Sequence, residues 1–113
     1  MAVVAHVVLP GVTKDQYDQV RAEVGWLEEP PAGGLSHLTW WQGGDCHNLD
    51  AWESEEAFGK FGAERLGPGM AKAGVQVEPQ VTFYPAHEVF VPGVVTVTVQ
   101  VTALFGWLMR CCR

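Results

Sequence analysis

Leu35-Ser36-His37-Leu38-Thr39-Trp40-Trp41-Gln42-Gly43-Gly44-Asp45-Cys46-His47-Asn48-Leu49-Asp50-Ala51-Trp52 reads as two strands joined by a tight turn. Gly43 and Gly44 can take the positive φ angles that a two-residue hairpin turn demands. Pairing Gln42 with Asp45 fixes the rest of the register. Trp41 then faces Cys46, Trp40 faces His47, Thr39 faces Asn48, His37 faces Asp50 and Leu35 faces Trp52. Because side chains alternate along a strand, Leu35, His37, Thr39, Trp41, Cys46, Asn48, Asp50 and Trp52 share one side of the hairpin. Ser36, Leu38, Trp40, His47, Leu49 and Ala51 share the other.

Outward from this hairpin, the remaining elements fall into a simple order. Ala2 to Leu9 is a nearly continuous β-branched run, expected as a central strand covered on both faces. Thr13 with Gln16 three residues on forms a capping box for a helix, and Tyr17, Val20 and Val24 make its buried stripe. Gly25 ends that helix, and Glu28 to Gly34, with paired prolines and paired glycines, is a loop. Ser54 caps a second helix whose first turn carries Glu55 and Glu56, while Ala57, Phe58 and Phe61 pack inward. Gly67-Pro68 is expected to stop it, with Met70 to Ala73 a separate turn. Val81 to Phe90 is the last strand of the unit, and Pro85 within it requires a sheet edge or a bulge.

The order β-α-β-β-α-β predicts a ferredoxin-like α+β fold, an antiparallel sheet with both helices on one face. Its other face, bare and rich in tryptophan, predicts a homodimer. With 113 residues the chain affords one such domain, over residues 1–92. Residues 93–113 are an addition, an extra strand or tail. Val89 to Met109 holds no charged residue, which is long enough for a membrane span, but the strict alternation that follows Val94, as far as Thr102, favours a strand packed on the sheet edge. Arg110-Cys111-Cys112-Arg113 suits a lipidated anchor on the alternative reading, and a membrane is not the expected partner.

Composition narrows the functional classes. Thirteen acidic against seven basic residues give a formal charge of −6, and without a Lys/Arg cluster nucleic acid is excluded as a partner. Three cysteines without C-x-x-C spacing argue against a disulfide framework or a zinc site and for the reducing cytoplasm. The amino terminus lacks the basic start of a signal peptide. Neither glycine pair forms a phosphate cradle.

Trp52-Glu53-Ser54-Glu55-Glu56-Ala57-Phe58, a strand end running into a capped helix, resembles the antibiotic-biosynthesis-monooxygenase-like family of dimeric α+β barrels. The resemblance covers about residues 1–92. It implies a homodimer and, among the family's activities, oxidation of polycyclic aromatic molecules without a cofactor, or haem degradation. The haem-degrading pattern is not matched: the first strand has no Asn, Phe61 stands where a Trp is expected, and Met70 where the iron-binding His is expected.

Against this background His37 with Asp50 is the candidate catalytic pair, the carboxylate fixing the imidazole as a general base. A cross-strand polar pair that sets hairpin register is the alternative. The candidate ligand pocket comprises His6, Trp41, Asn48, Trp52, Tyr84 and His87, with the aromatic rings holding a flat substrate. His6 and His87 offer two imidazoles to a metal but no third ligand converges on them, so no metal and no cofactor are expected. The expected function is binding of a small hydrophobic or aromatic molecule, with cofactor-independent monooxygenation as its chemistry. A non-catalytic dimerisation or ligand-sensing module is the alternative.

Overall fold

A computed structural model describes residues 1–93 of the chain. The expected strand over Val94 to Thr102, the apolar run to Met109 and the terminal cysteine pair lie outside the described residues. Four strands, β1 (Val3–Leu9), β2 (Gly34–Gln42), β3 (Asp45–Trp52) and β4 (Gln80–Pro85), form one antiparallel sheet in the order β2-β3-β1-β4. Helix α1 (Lys14–Val24) connects β1 to β2, and α2 (Glu55–Phe61) opens the connection from β3 to β4. This is the predicted α+β arrangement.

The hairpin register is as expected from Gln42↔Asp45 through His37↔Asp50 and on to Ser36↔Ala51. Gly43 and Gly44 have φ of 61° and 81°, the left-handed values of a tight turn that follows the strand twist. Only the last pair departs: Trp52 pairs with Gly34, and Leu35 sits at a register irregularity. The shift arises where the proline loop joins β2, since the Gly34 N–H is already given to the Pro31 carbonyl and Gly33 accepts from Glu53.

Alternation decides which residues form the core. Val3, Ala5, Val7 and Leu9 are buried beneath the helices, whereas Val4, His6 and Val8 are half-buried on the opposite face. Strand β1 is therefore central, but helices cover only one of its faces. Tyr17 and Val20 of α1, with Val12, Cys46, Trp52, Met70 and Val75, complete the core under that cover. Thr13 caps α1 in the reciprocal box with Gln16, and Gly25 ends it at φ 70°.

The second helix differs from expectation in an instructive way. It does not stop at Gly67-Pro68; α2 passes into a π-helical segment, Gly62–Leu66, and then into α3 (Gly67–Lys72). The Gly67 N–H reaches back to Gly62, one residue further than in an α-helix. The wide turn places Pro68 at the start of α3, where its missing N–H costs no helical bond. At Gly69, α3 approaches α1 so closely that an added Cβ would lie 2.3 Å from Val24 Cγ2. Strand β4 ends at Pro85 rather than Phe90: Val3↔Pro85 is its last pair with β1, followed by one bond from the Ala86 N–H to the Ala2 carbonyl. As an edge strand, β4 tolerates the proline.

Candidate functional site

Between the covered face of the sheet and the helices lies a cavity of about 220 Å³. Its wall is built from Val7 and Leu9 of β1, Val12 and Val20, Trp26 and Pro31 of the loop before β2, Trp52 of β3, and Phe58, Phe61 and Leu66 of the second helix and its π segment. The polar side chains among the lining residues are Tyr17, Ser36, His37, Asn48 and Asp50.

Three of these form a continuous hydrogen-bonded chain. Asp50, ionised and therefore an acceptor only, takes the Nδ1–H of His37 at 2.6 Å. That fixes the tautomer and leaves Nε2 as an acceptor, to which the Tyr17 hydroxyl donates at 2.8 Å. Their origins explain why they meet: His37 and Asp50 are directly opposed across the hairpin, and Tyr17 lies on the inward stripe of α1. Trp26 packs edge-on against both Tyr17 and His37, and Trp41 packs edge-on against Tyr17 while its Nε1 donates to the Val12 carbonyl at 2.8 Å. Burial pushes the Tyr17 phenol well above its ordinary range, the Cys46 thiol adds to the rise, and Arg21 opposes it while Asp50 and Asp18 reinforce it. The phenol thus rests protonated. Burial likewise pushes up the Cys46 thiol, against hydrogen bonds from Thr39 and Asn48.

Asn48, itself buried, donates from Nδ2 to the Val7 carbonyl at 3.2 Å. Trp52 is only 3% exposed, and its indole Nε1 has no hydrogen-bond partner among the described residues. A buried donor without an acceptor is costly and uncommon.

The structure thus gathers His37, Asp50, Asn48 and Trp52 of the expected residues at one cavity. Trp41 shares their side of the sheet but stands behind Tyr17 and does not line the cavity. His6, Tyr84 and His87 do not belong there. Register places His6 and Tyr84 on the open face, and His87 is exposed beyond the end of β4. The imidazole that His6 meets is His47, not His87: Nε2 and Nδ1 share a hydrogen bond of 3.0 Å, with both rings stacked against Trp40. Among the described residues no group of three His, Cys, Asp or Glu gathers as metal ligands would. Nor is any helix among them long and apolar enough to cross a membrane.

Tyr17 is the functional candidate that sequence reasoning missed. It was legible only as a buried position of an amphipathic helix. The available signal was that an inward-facing α1 in this topology must lie over the same side of the sheet as His37.

No family model and no curated protein sequence matches the chain. Solved structures do. A monooxygenase from the ActVA-Orf6 gene of Streptomyces coelicolor, solved in complex with nanaomycin D, is 23% identical with a TM-score of 0.54, over 81% of this chain and 93% of that one. SnoaB, a cofactor-independent oxygenase from Streptomyces nogalater, is 12% identical with a TM-score of 0.55, over 81% and 97%. A protein of unknown function from Nitrosomonas europaea is 11% identical with a TM-score of 0.62, over 81% and 95%. In element order, sheet topology and structural likeness, the chain has the antibiotic-biosynthesis-monooxygenase-like fold.

Proposed function

We propose that the chain binds a small planar aromatic molecule in the cavity between sheet and helices and oxidises it with molecular oxygen, using neither metal nor flavin. The observation that carries this reading is a hydrogen-bonded Tyr17, His37 and Asp50 chain in the wall of a mostly apolar cavity. A cavity of about 220 Å³ is below the roughly 300–1,000 Å³ usual for drug-sized ligands, which favours a ligand of few rings. The apolar wall holds the rings, and the histidine and carboxylate store the proton that leaves the substrate. A substrate with an acidic methylene next to its rings then carries the electrons itself. Its carbanion reduces oxygen, and one methylene plus one dioxygen give one carbonyl and one water.

The cofactor-independent oxygenase and the nanaomycin D complex among the structures of like fold support this chemistry as a class. Dimerisation through the open face belongs to the same reading: Leu38 and Tyr84 are 62% and 53% exposed there, beside the ring cluster of Trp40, His6 and His47. Full satisfaction of the relay within one chain equally suits a non-catalytic dimeric module that senses the ligand.

Anthrone, a tricyclic ketone with an acidic methylene, separates these. Oxygen uptake is measured with the purified chain in the presence of a chelator. Equimolar consumption of oxygen and formation of anthraquinone supports the oxygenase. Binding that quenches tryptophan fluorescence without oxygen uptake supports the sensing module, and absence of binding rejects the pocket. Sedimentation at micromolar concentration tests the dimer, which a single monomeric species would reject.

A further inference from the structure

We infer that Tyr17, rather than His37, is the group that meets the substrate and takes its proton, with His37 receiving that proton in turn. The inference rests on the proposed reading of the cavity as a site of proton abstraction.

The geometry of the imidazole makes the case. Both ring nitrogens of His37 are engaged: Nδ1 donates to Asp50 at 2.6 Å, and Nε2 accepts from Tyr17 at 2.8 Å. No lone pair is left for a substrate proton. The phenol oxygen, in contrast, uses its one hydrogen toward His37 and keeps acceptor capacity, since a hydroxyl is one donor with two lone pairs. Tyr17 also lines the cavity while being only 8% exposed, whereas 35% of the His37 side chain is open to solvent. The chain of groups therefore runs from the cavity wall to the surface.

Balanced, the step is a relay. The substrate C–H bond breaks and its electron pair stays on carbon. The proton goes to Tyr17 Oη as the Tyr17 proton passes to His37 Nε2. His37 becomes imidazolium, held by the Asp50 carboxylate, and stores the proton until it exchanges with solvent or returns through Tyr17 to the product. The raised proton affinity of the buried phenol, itself caused by desolvation, keeps Tyr17 neutral before and after, so no phenolate accumulates. Trp26 and Trp41, packed edge-on against the Tyr17 ring, hold it in line.

Anaerobic exchange of the anthrone methylene into deuterium oxide, followed by NMR, tests this without any oxidation. The unaltered chain is expected to accelerate exchange. Tyr17→Phe is expected to lose about 10²–10⁴-fold, the usual worth of a positioned acid or base, and His37→Gln to lose a similar factor. Tyr17→Phe retaining exchange within a few-fold while His37→Gln abolishes it makes His37 the direct base; that overturns the inference and leaves the proposed function standing. Bound anthrone that the unaltered chain does not exchange overturns both. Should Tyr17→Phe fail to fold, 3-fluorotyrosine in a Tyr84→Phe background leaves Tyr17 as the sole tyrosine with its shape kept and its phenol more acidic. Its single fluorine resonance should then shift when anthrone is added, and an unmoved resonance overturns the inference.

Discussion

The two faces of the sheet each carry a hydrogen-bonded histidine among tryptophans, yet only one of them has the makings of a reaction site. On the covered face His37 is held by an anion, Asp50, and by a phenol, Tyr17, beside a cavity. On the open face His6 is held by another imidazole and stacked on Trp40, and among the described residues no carboxylate is bonded to it and it does not line the cavity. A carboxylate partner stabilises the imidazolium that forms when a proton arrives, whereas a second imidazole merely shares one. Environment, not residue type, separates a proton store from a surface contact.

The largest expected contrast between the faces is in the tryptophans. Trp52 is 3% exposed against Phe58 and Phe61, so Trp52→Ala should cost about 3–5 kcal/mol in urea denaturation. Trp40 is 38% exposed, and Trp40→Ala should cost under about 1 kcal/mol in dilute solution while weakening self-association. Equal losses would erase the distinction between the faces. A smaller effect is expected at the open-face imidazoles: His47→Ala removes one partly buried hydrogen bond, worth about 1 kcal/mol, and should leave anthrone binding unchanged. Altered binding would connect the two faces.

The subtlest effect is a pH dependence confined to the covered face. The folded phenol of Tyr17 is raised above its unfolded value of about 10. Below that value Tyr17 is neutral in both states and its contribution is fully present. As pH climbs above about 10, the unfolded chain releases the proton and the folded chain does not, so stability falls toward the folded value. Urea midpoints measured from pH 8 to 11 should show this decline, and Tyr17→Phe should flatten it. A decline of the same slope in Tyr17→Phe would place the effect elsewhere.

Period-two alternation made the sheet side of the site legible: the opposed His37 and Asp50, with Asn48 and Trp52 beside them, follow from a two-glycine turn and counting. What alternation within one hairpin does not encode is contact between elements distant in sequence. Tyr17 reaches His37 from 20 residues away, through the packing of α1 on the sheet. That His6 and Tyr84 fall on the open face was not legible, because strand pairing across β1 depends on a register that no turn fixes. Pro68 misled in another manner, since a helix breaker was read without the wide turn that accommodates it.

That wide turn makes the roof of the cavity sensitive to a count of one. In an α-helix each residue advances the chain by roughly 100° around the axis. The wide turn takes up one residue more than an α-helical turn, so deleting one residue from Gly62–Leu66 would keep α3 in phase, whereas the same residues rewound as ordinary α-helix would swing everything beyond them by about that angle. Gly69 would then leave its seat against Val24, Met70 would turn out of the core, and Pro68 would fall inside a helix with no wide turn ahead of it. Aligning relatives of this fold across that stretch without gaps therefore risks comparing cavity walls that point in different directions.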